Sequence, residues 1–429
     1  MLSQEKKKEG GEKNMVRAIK TTASAIVSGA ILLYSLAIPT FASTTIEISG
    51  NGASSTNTAD VTTTQETTVV QNNVANITNN VNSAANTGNN TANSNTGGNT
   101  TIDTGNAEAK ATVSNTANLN KADVNTCGTC AAGNVDVTIS GNGSDSVNTA
   151  NVSNDNKTSV FQDNLANIEN NVKVDANTGN NTANSNTGGD VRITTGNATA
   201  TADVSNLANA NIASVGGGDG TGTISARIIG NGAGSINTIA LTDTRSVTVV
   251  QDNIADISND VDVKANTGDN VASSNTGGDV TIDTGNATAN ATIDNVANLN
   301  AADVICCVVD AIAKISGNGV NSVNTIITEL GSELSIFQNG KDKKDNLANL
   351  TNTLDVEALS GTNVASGNTG PVLGDAVSVM TGNATQKTSV SNLVNANIFG
   401  PLTGLIMPPD LDLSFSFDLS KFLGFFGMV

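Results

Sequence analysis

The chain has 429 residues, of which 14% are charged and 2% aromatic, with no His, no Trp, one Tyr and a formal charge of −19. Large apolar side chains are too sparse for an ordinary globular core of this length, and the acidic balance argues against nucleic acid, whose phosphates it would repel. Without His, without a Ser in a nucleophile setting and with carboxylates scattered rather than paired, the composition also argues against an enzyme and calls for no cofactor.

Reading from the N-terminus, Lys13, Arg17 and Lys20 form a basic stretch, Ala23 to Ile38 is apolar, and Thr40-Phe41-Ala42 is a small-x-small cleavage site. The pattern is that of a signal peptide over 1–42, with Met15 an alternative start; the competing reading is an uncleaved membrane anchor. Cleavage removes six basic and three acidic residues, leaving a secreted chain with a charge of −22 and without its only Tyr, Tyr34. The strong negative charge favours solubility outside the cell and makes divalent cations or basic surfaces candidate partners.

From residue 43 onward the sequence repeats. Ile followed by a Gly-Asn-Gly step recurs at Gly50, Gly141, Gly230 and Gly317, with spacings of 91, 89 and 87. Four repeats follow: 43–134, 135–223, 224–310 and 311–398. Within the first three, Asn residues followed by small or apolar partners keep spacings of 22, 17 and 16. They are Asn51, Asn73, Asn90 and Asn106; Asn142, Asn164, Asn181 and Asn197; Asn231, Asn253, Asn270 and Asn286. The fourth repeat keeps Asn318, Asn346, Asn363 and Asn383, with a charged insertion from Gly340 to Asp345. A disordered chain has no need of such spacing; a stacked one does.

Between these positions apolar and polar residues alternate, as in Val280-Thr281-Ile282-Asp283 before Gly285-Asn286, which reads as strand then turn. No long stretch has helical period. The expected fold is therefore an all-β solenoid of stacked strand-turn-strand coils, its sixteen Asn forming a structural ladder at the turns. If each 16–22-residue segment were one coil, sixteen coils would make a rod about 75–80 Å long, at about 4.8 Å per coil.

Cys127-Gly128-Thr129-Cys130 and the vicinal Cys306-Cys307 fall in the linkers just after the Ala-Asn-Leu-Asn runs at 117–120 and 297–300, at the ends of the first and third repeats. Local disulfides bracing exported loops are the first reading; intermolecular cross-links, or metal or redox chemistry, are the alternatives. Asp-rich stretches such as Asp260-Val261-Asp262 suggest calcium, but their alternation with Val fits a solvated acidic face better. An ice-binding Thr array is not maintained: Thr62 and Thr64 correspond to Ser153 and Asp155, then Thr242 and Thr244, then Glu329 and Gly331. Residues 399–429 hold six of the nine Phe, with Leu411, Leu413, Phe415, Phe417 and Leu419 alternating with polar residues. That segment reads equally as a hydrophobic cap on the solenoid end or as a strand that docks on a partner.

The apolar strand, Gly-Asn turn and Asn-x-Ala arc of Val172 to Ala183 resemble curlin-type repeats of curli-like extracellular fibres, with Gln71, Gln162, Gln251 and Gln338 at the positions of ladder glutamines. The chain departs from that pattern in having one Gln per 90 residues and few aromatics. The resemblance implies a solenoid and an extracellular structural role. The expected function is thus a secreted structural protein that forms or decorates a fibre, matrix or surface layer through self-association or contact with cell-surface components. A cell-surface adhesin or ligand-binding solenoid is the alternative.

Overall fold

A computed structural model describes residues 21–27, 32–37, 43–124, 134–216, 223–305, 310–339, 346–370 and 377–400. Two short strands come first, β1 (Thr21–Val27) and β2 (Leu32–Ala37). Four coils follow. Coil 1 contains β3 (Thr44–Ser49), β4 (Thr56–Asn86), β5 (Thr100–Asp103) and β6 (Ala107–Val124). Coil 2 contains β7 (Val135–Ser140), β8 (Val147–Asn177), β9 (Val191–Thr194) and β10 (Ala198–Gly216). Coil 3 contains β11 (Thr223–Ile229), β12 (Ile236–Asn266), β13 (Val280–Asp283) and β14 (Ala287–Ile305). Coil 4 contains β15 (Asp310–Ser316), β16 (Val323–Phe337), β17 (Asn346–Leu359), β18 (Val377–Met380), β19 (Ala384–Val394) and β20 (Asn397–Phe399). Corresponding strands of successive coils pair in parallel and in register, giving the stacked sheets of a β-solenoid.

One coil is a whole repeat of about 90 residues, not a segment of 16–22. Thr56 pairs with Val147, Val147 with Ile236, and Ile236 with Val323. The physical reason lies in β4 and its equivalents. Thr56 to Asn86 contains neither Gly nor Pro, and its burial alternates for all 31 residues. Nothing breaks the strand at Asn73, so it continues unbroken over a contour of about 100 Å. The molecule is accordingly a wide, low stack of four coils rather than a thin rod of sixteen.

Each coil is two sheets thick. The odd-numbered face of β4 packs against β3 through Ala59, Val61, Ile46 and Ile48, and against β6 through Val81, Ala85 and Ala107 to Val113. Gly50 and Ser54, both at positive φ, close one end of the coil, and the arc between β4 and β6 closes the other. In that arc Gly88, Gly179, Gly268 and Gly361 stack so closely that a Cβ on Gly179 would overlap the carbonyl oxygen of Gly268. Only Gly fits there. Sequence alternation fails at one place in β6: Asn118 adopts φ of 56°, and the core face switches from odd residues (Val113, Ala117) to even ones (Ala122, Val124). Asn209, Asn298 and Asn395 repeat the kink.

Candidate functional site: amide ladders and an open coil edge

Apolar clusters of Val, Ile, Leu and Ala are divided by walls of buried amides. The most complete wall lies between β4 and β6 and their equivalents. Asn170 donates to Asn206 Oδ1 at 3.1 Å in the same coil and to Asn259 Oδ1 at 2.7 Å in the next. It accepts from Asn79 at 2.7 Å and from Asn115 at 2.9 Å. Asn206 repeats the pattern, donating to Asn259 at 3.1 Å and Asn295 at 2.7 Å. Both N–H protons and both oxygen lone pairs are used, so burial of these groups leaves nothing unpaired. The wall ends in coil 4 at Asn352 and Asn392.

The sixteen Asn singled out by spacing sort into four axial columns. Asn51, Asn142, Asn231 and Asn318 form a turn ladder in which each Oδ1 accepts from the backbone N–H of the coil before, at 2.9–3.0 Å. Asn90, Asn181, Asn270 and Asn363 form a side-chain ladder in the arc, at 2.8–3.0 Å. Asn106, Asn197, Asn286 and Asn383 stack at the turn before β6 and its equivalents, at 2.8–2.9 Å. Asn73, Asn164, Asn253 and Asn346 lie within or at the start of core strands, not at a turn. They bond across the core to the column of Asn120, Asn211, Asn300 and Asn397.

Gln71, Gln162, Gln251 and Gln338 also stack, each Nε2 donating to the Oε1 of the coil before at 2.8, 2.8 and 3.0 Å. Each spans the core as well: Gln162 Nε2 donates to the Ile212 carbonyl at 2.9 Å. The spacing argument missed the Asn79 and Asn115 columns. A signal for the Asn115 column was present, because Asn115-Thr116-Ala117, Asn206-Leu207-Ala208 and Asn295-Val296-Ala297 are Asn-x-Ala steps at equivalent places in three repeats.

The open edge of coil 4 is the second feature. Its inward side chains Ile326, Leu330 and Leu334 are 47%, 63% and 50% exposed, whereas the equivalent Ile239 and Val247 of coil 3 are 0% and 5% exposed. Among the described residues no coil covers them, and the backbone of β16 to β19 ends its sheets there. An uncovered strand edge of this kind is a template for pairing.

The outer faces carry charge pairs along the axis, Lys157 with Glu66 at 3.1 Å, Lys110 with Asp203 at 3.3 Å and Lys264 with Asp355 at 3.6 Å, and one within a strand, Lys264 with Asp262 at 3.4 Å. Lys264 also lines a cleft of about 400 Å³ together with Asp175, Asn177 and Glu357. Burial pushes the Asp175 carboxyl above its usual range, opposed by the Lys173 charge, and the neighbouring Asp262 carboxylate raises Lys264. The charged groups lining the cleft are two carboxylates, Asp175 and Glu357, and one ammonium, Lys264. Among the described residues no three His, Cys, Asp or Glu are grouped to hold a metal ion. Cys127, Cys130, Cys306 and Cys307, and the alternating Leu411, Leu413, Phe415, Phe417 and Leu419, lie outside the described residues.

No protein-family model, curated protein or solved structure matches the chain. The fold and the ladders define a parallel β-solenoid with in-register amide columns whose sheets, among the described residues, end at β3, β4 and β5 in coil 1 and at β15 to β20 in coil 4.

Proposed function

We propose that the protein is a secreted structural component that stacks end to end into an extracellular fibre, matrix or surface layer, with no catalytic role. The carrying observation is the polarity of the amide walls. In the Asn79 and Asn115 columns every coil donates to the next, so coil 4 ends in amide donors and coil 1 begins in acceptors. Coil 4 of one copy laid on coil 1 of another continues the Asn columns, the Gln column and the apolar clusters in the same register. The export-type leader and the acidic, soluble surface support a place outside the cell.

Electron microscopy of purified residues 43–429 tests this. Regular filaments with a cross-β spacing near 4.8 Å are expected. Particles that stay monomeric at high concentration would sink the assembly reading and leave the adhesin alternative.

A further inference from the structure

We propose that β1 and β2 are a built-in cap: while they remain on the chain they occupy the β6 edge of coil 1, where β19 and β20 of a second copy would stack. This rests on the end-to-end reading above.

The argument is one of register. β1 pairs in parallel with β6 from Thr21↔Ala109 to Val27↔Asn115, and β2 continues from Leu32↔Leu119 to Ala37↔Val124. These offsets of 88 and 87 are nearly those that separate one coil from the next. The break between the two strands falls opposite Thr116 to Asn118, where β6 itself kinks at Asn118. Coil 4 has the same two-part form, β19 ending at Val394 and β20 starting at Asn397, around the kink at Asn395. The segment therefore imitates the second half of a coil.

Its downstream junction fits as well. In sequence, Thr40-Phe41-Ala42 lies between the end of β2 at Ala37 and the start of β3 at Thr44. A cut there removes this half-coil and breaks no strand of coil 1. The edge it releases carries the backbone groups of 13 paired residues and the open ends of the Asn115, Asn118 and Asn120 columns. An uncut chain would add to a filament by its coil 4 edge only at the price of leaving a blocked end behind, so export processing would release assembly.

Two measurements on purified chains test the cap. In the first, amide hydrogen exchange over residues 107–124 is compared between monomeric 1–429 and 43–429. Slower exchange in 1–429, lost again in the double variant Ala25→Pro and Ser35→Pro, is expected, because Pro removes a ladder donor. Equal exchange in 1–429 and 43–429 would overturn the proposal. In the second, 1–429 is added in small amount to growing seeds of 43–429. One end of each seed should stop growing, and the double variant should restore growth; undiminished growth at both ends would overturn the cap. If 43–429 forms no filaments, the end-to-end reading fails, while the exchange experiment still decides whether the leader covers β6.

Discussion

Replacing Asn170 with Ala removes the side chain at the centre of the buried amide wall. Asn79 and Asn115 each lose the acceptor for one N–H, since both donate to Asn170 Oδ1 at 2.7 and 2.9 Å. Their other protons keep Asn115 and Asn206 as partners. Two buried donors are thereby stranded, and each costs about 1–3 kcal/mol. Loss of about 2–6 kcal/mol is expected, read as a lower denaturant midpoint of the monomeric chain. The control is Asn167→Ala, the same chemical change three residues away on the exposed face of β8, with an expected effect within about 0.5 kcal/mol. A third variant, Asn170→Asp, keeps the shape but has no protons to donate to Asn206 and Asn259. Its buried carboxyl will have a raised pKa, so the variant should regain stability as pH falls through that value and lose it as pH rises. If Asn170→Ala and Asn167→Ala unfold at the same midpoint, the amide walls do not hold the coils together and the reasoning fails.

Gly179→Ala should destabilise strongly, because its Cβ would meet the Gly268 carbonyl. Gly97→Ala, at φ of 86° with open space around it, should cost only about 1–2 kcal/mol of backbone strain; thermal unfolding of the two variants distinguishes crowding from conformation. Asp175→Asn should stabilise the monomer at neutral pH, because burial opposes the carboxylate. That gain should shrink as pH falls through the raised pKa, where the wild-type carboxyl is neutral too; denaturation midpoints across acidic pH check it. Lys264 works in the opposite sense: its pKa is raised by Asp262, so its contribution is complete at neutral pH and is lost as pH rises through the folded value. Lys264→Met should therefore change the alkaline limb of the stability profile.

Much of the fold was legible because a stacked chain writes its register into its sequence. The Gly-Asn-Gly steps located the coil closures at Gly50, Gly141, Gly230 and Gly317, and the period-two pattern located the strands. What spacing alone could not supply was coil size. Asn73 and Asn90 recur alike in every copy, yet one lies inside a strand and the other in an arc. The difference is carried by flanking residues: Asn90 follows Gly88 and Asn89 (φ 63°), whereas Asn73 sits in a run without Gly or Pro. The Asn118 kink was hidden for a related reason. Two-residue alternation predicts a straight strand, and the switch of face appears only as an Asn-x-Asn step, in which the first Asn takes the left-handed conformation that its short amide tolerates. Composition sets the leader apart as a basic then apolar stretch; its pairing with β6 is a matter of register across 88 residues that composition does not carry.

On the end-to-end reading proposed above, the polarity of the ladders also sets how copies would meet. Head-to-head stacking, coil 4 against coil 4, would place the Asn352 and Asn392 donors against donors and reverse the strand direction, whereas head-to-tail stacking preserves both. In the head-to-tail register Glu333 falls in the column of Ser246, Lys157 and Glu66, so it would lie against Glu66 of the next copy. Opposite charges already pair in that column, Lys157 with Glu66 at 3.1 Å. Glu333→Lys should therefore turn a repulsion into an attraction at the joint. An exposed pair is worth about 0.2–1 kcal/mol, which corresponds to about a 1.5- to 5-fold lower critical concentration for filament growth. The gain should fade in high salt. A Glu333→Lys chain that assembles no more readily than wild type at low salt would mean that the copies do not meet coil 4 to coil 1 in this register.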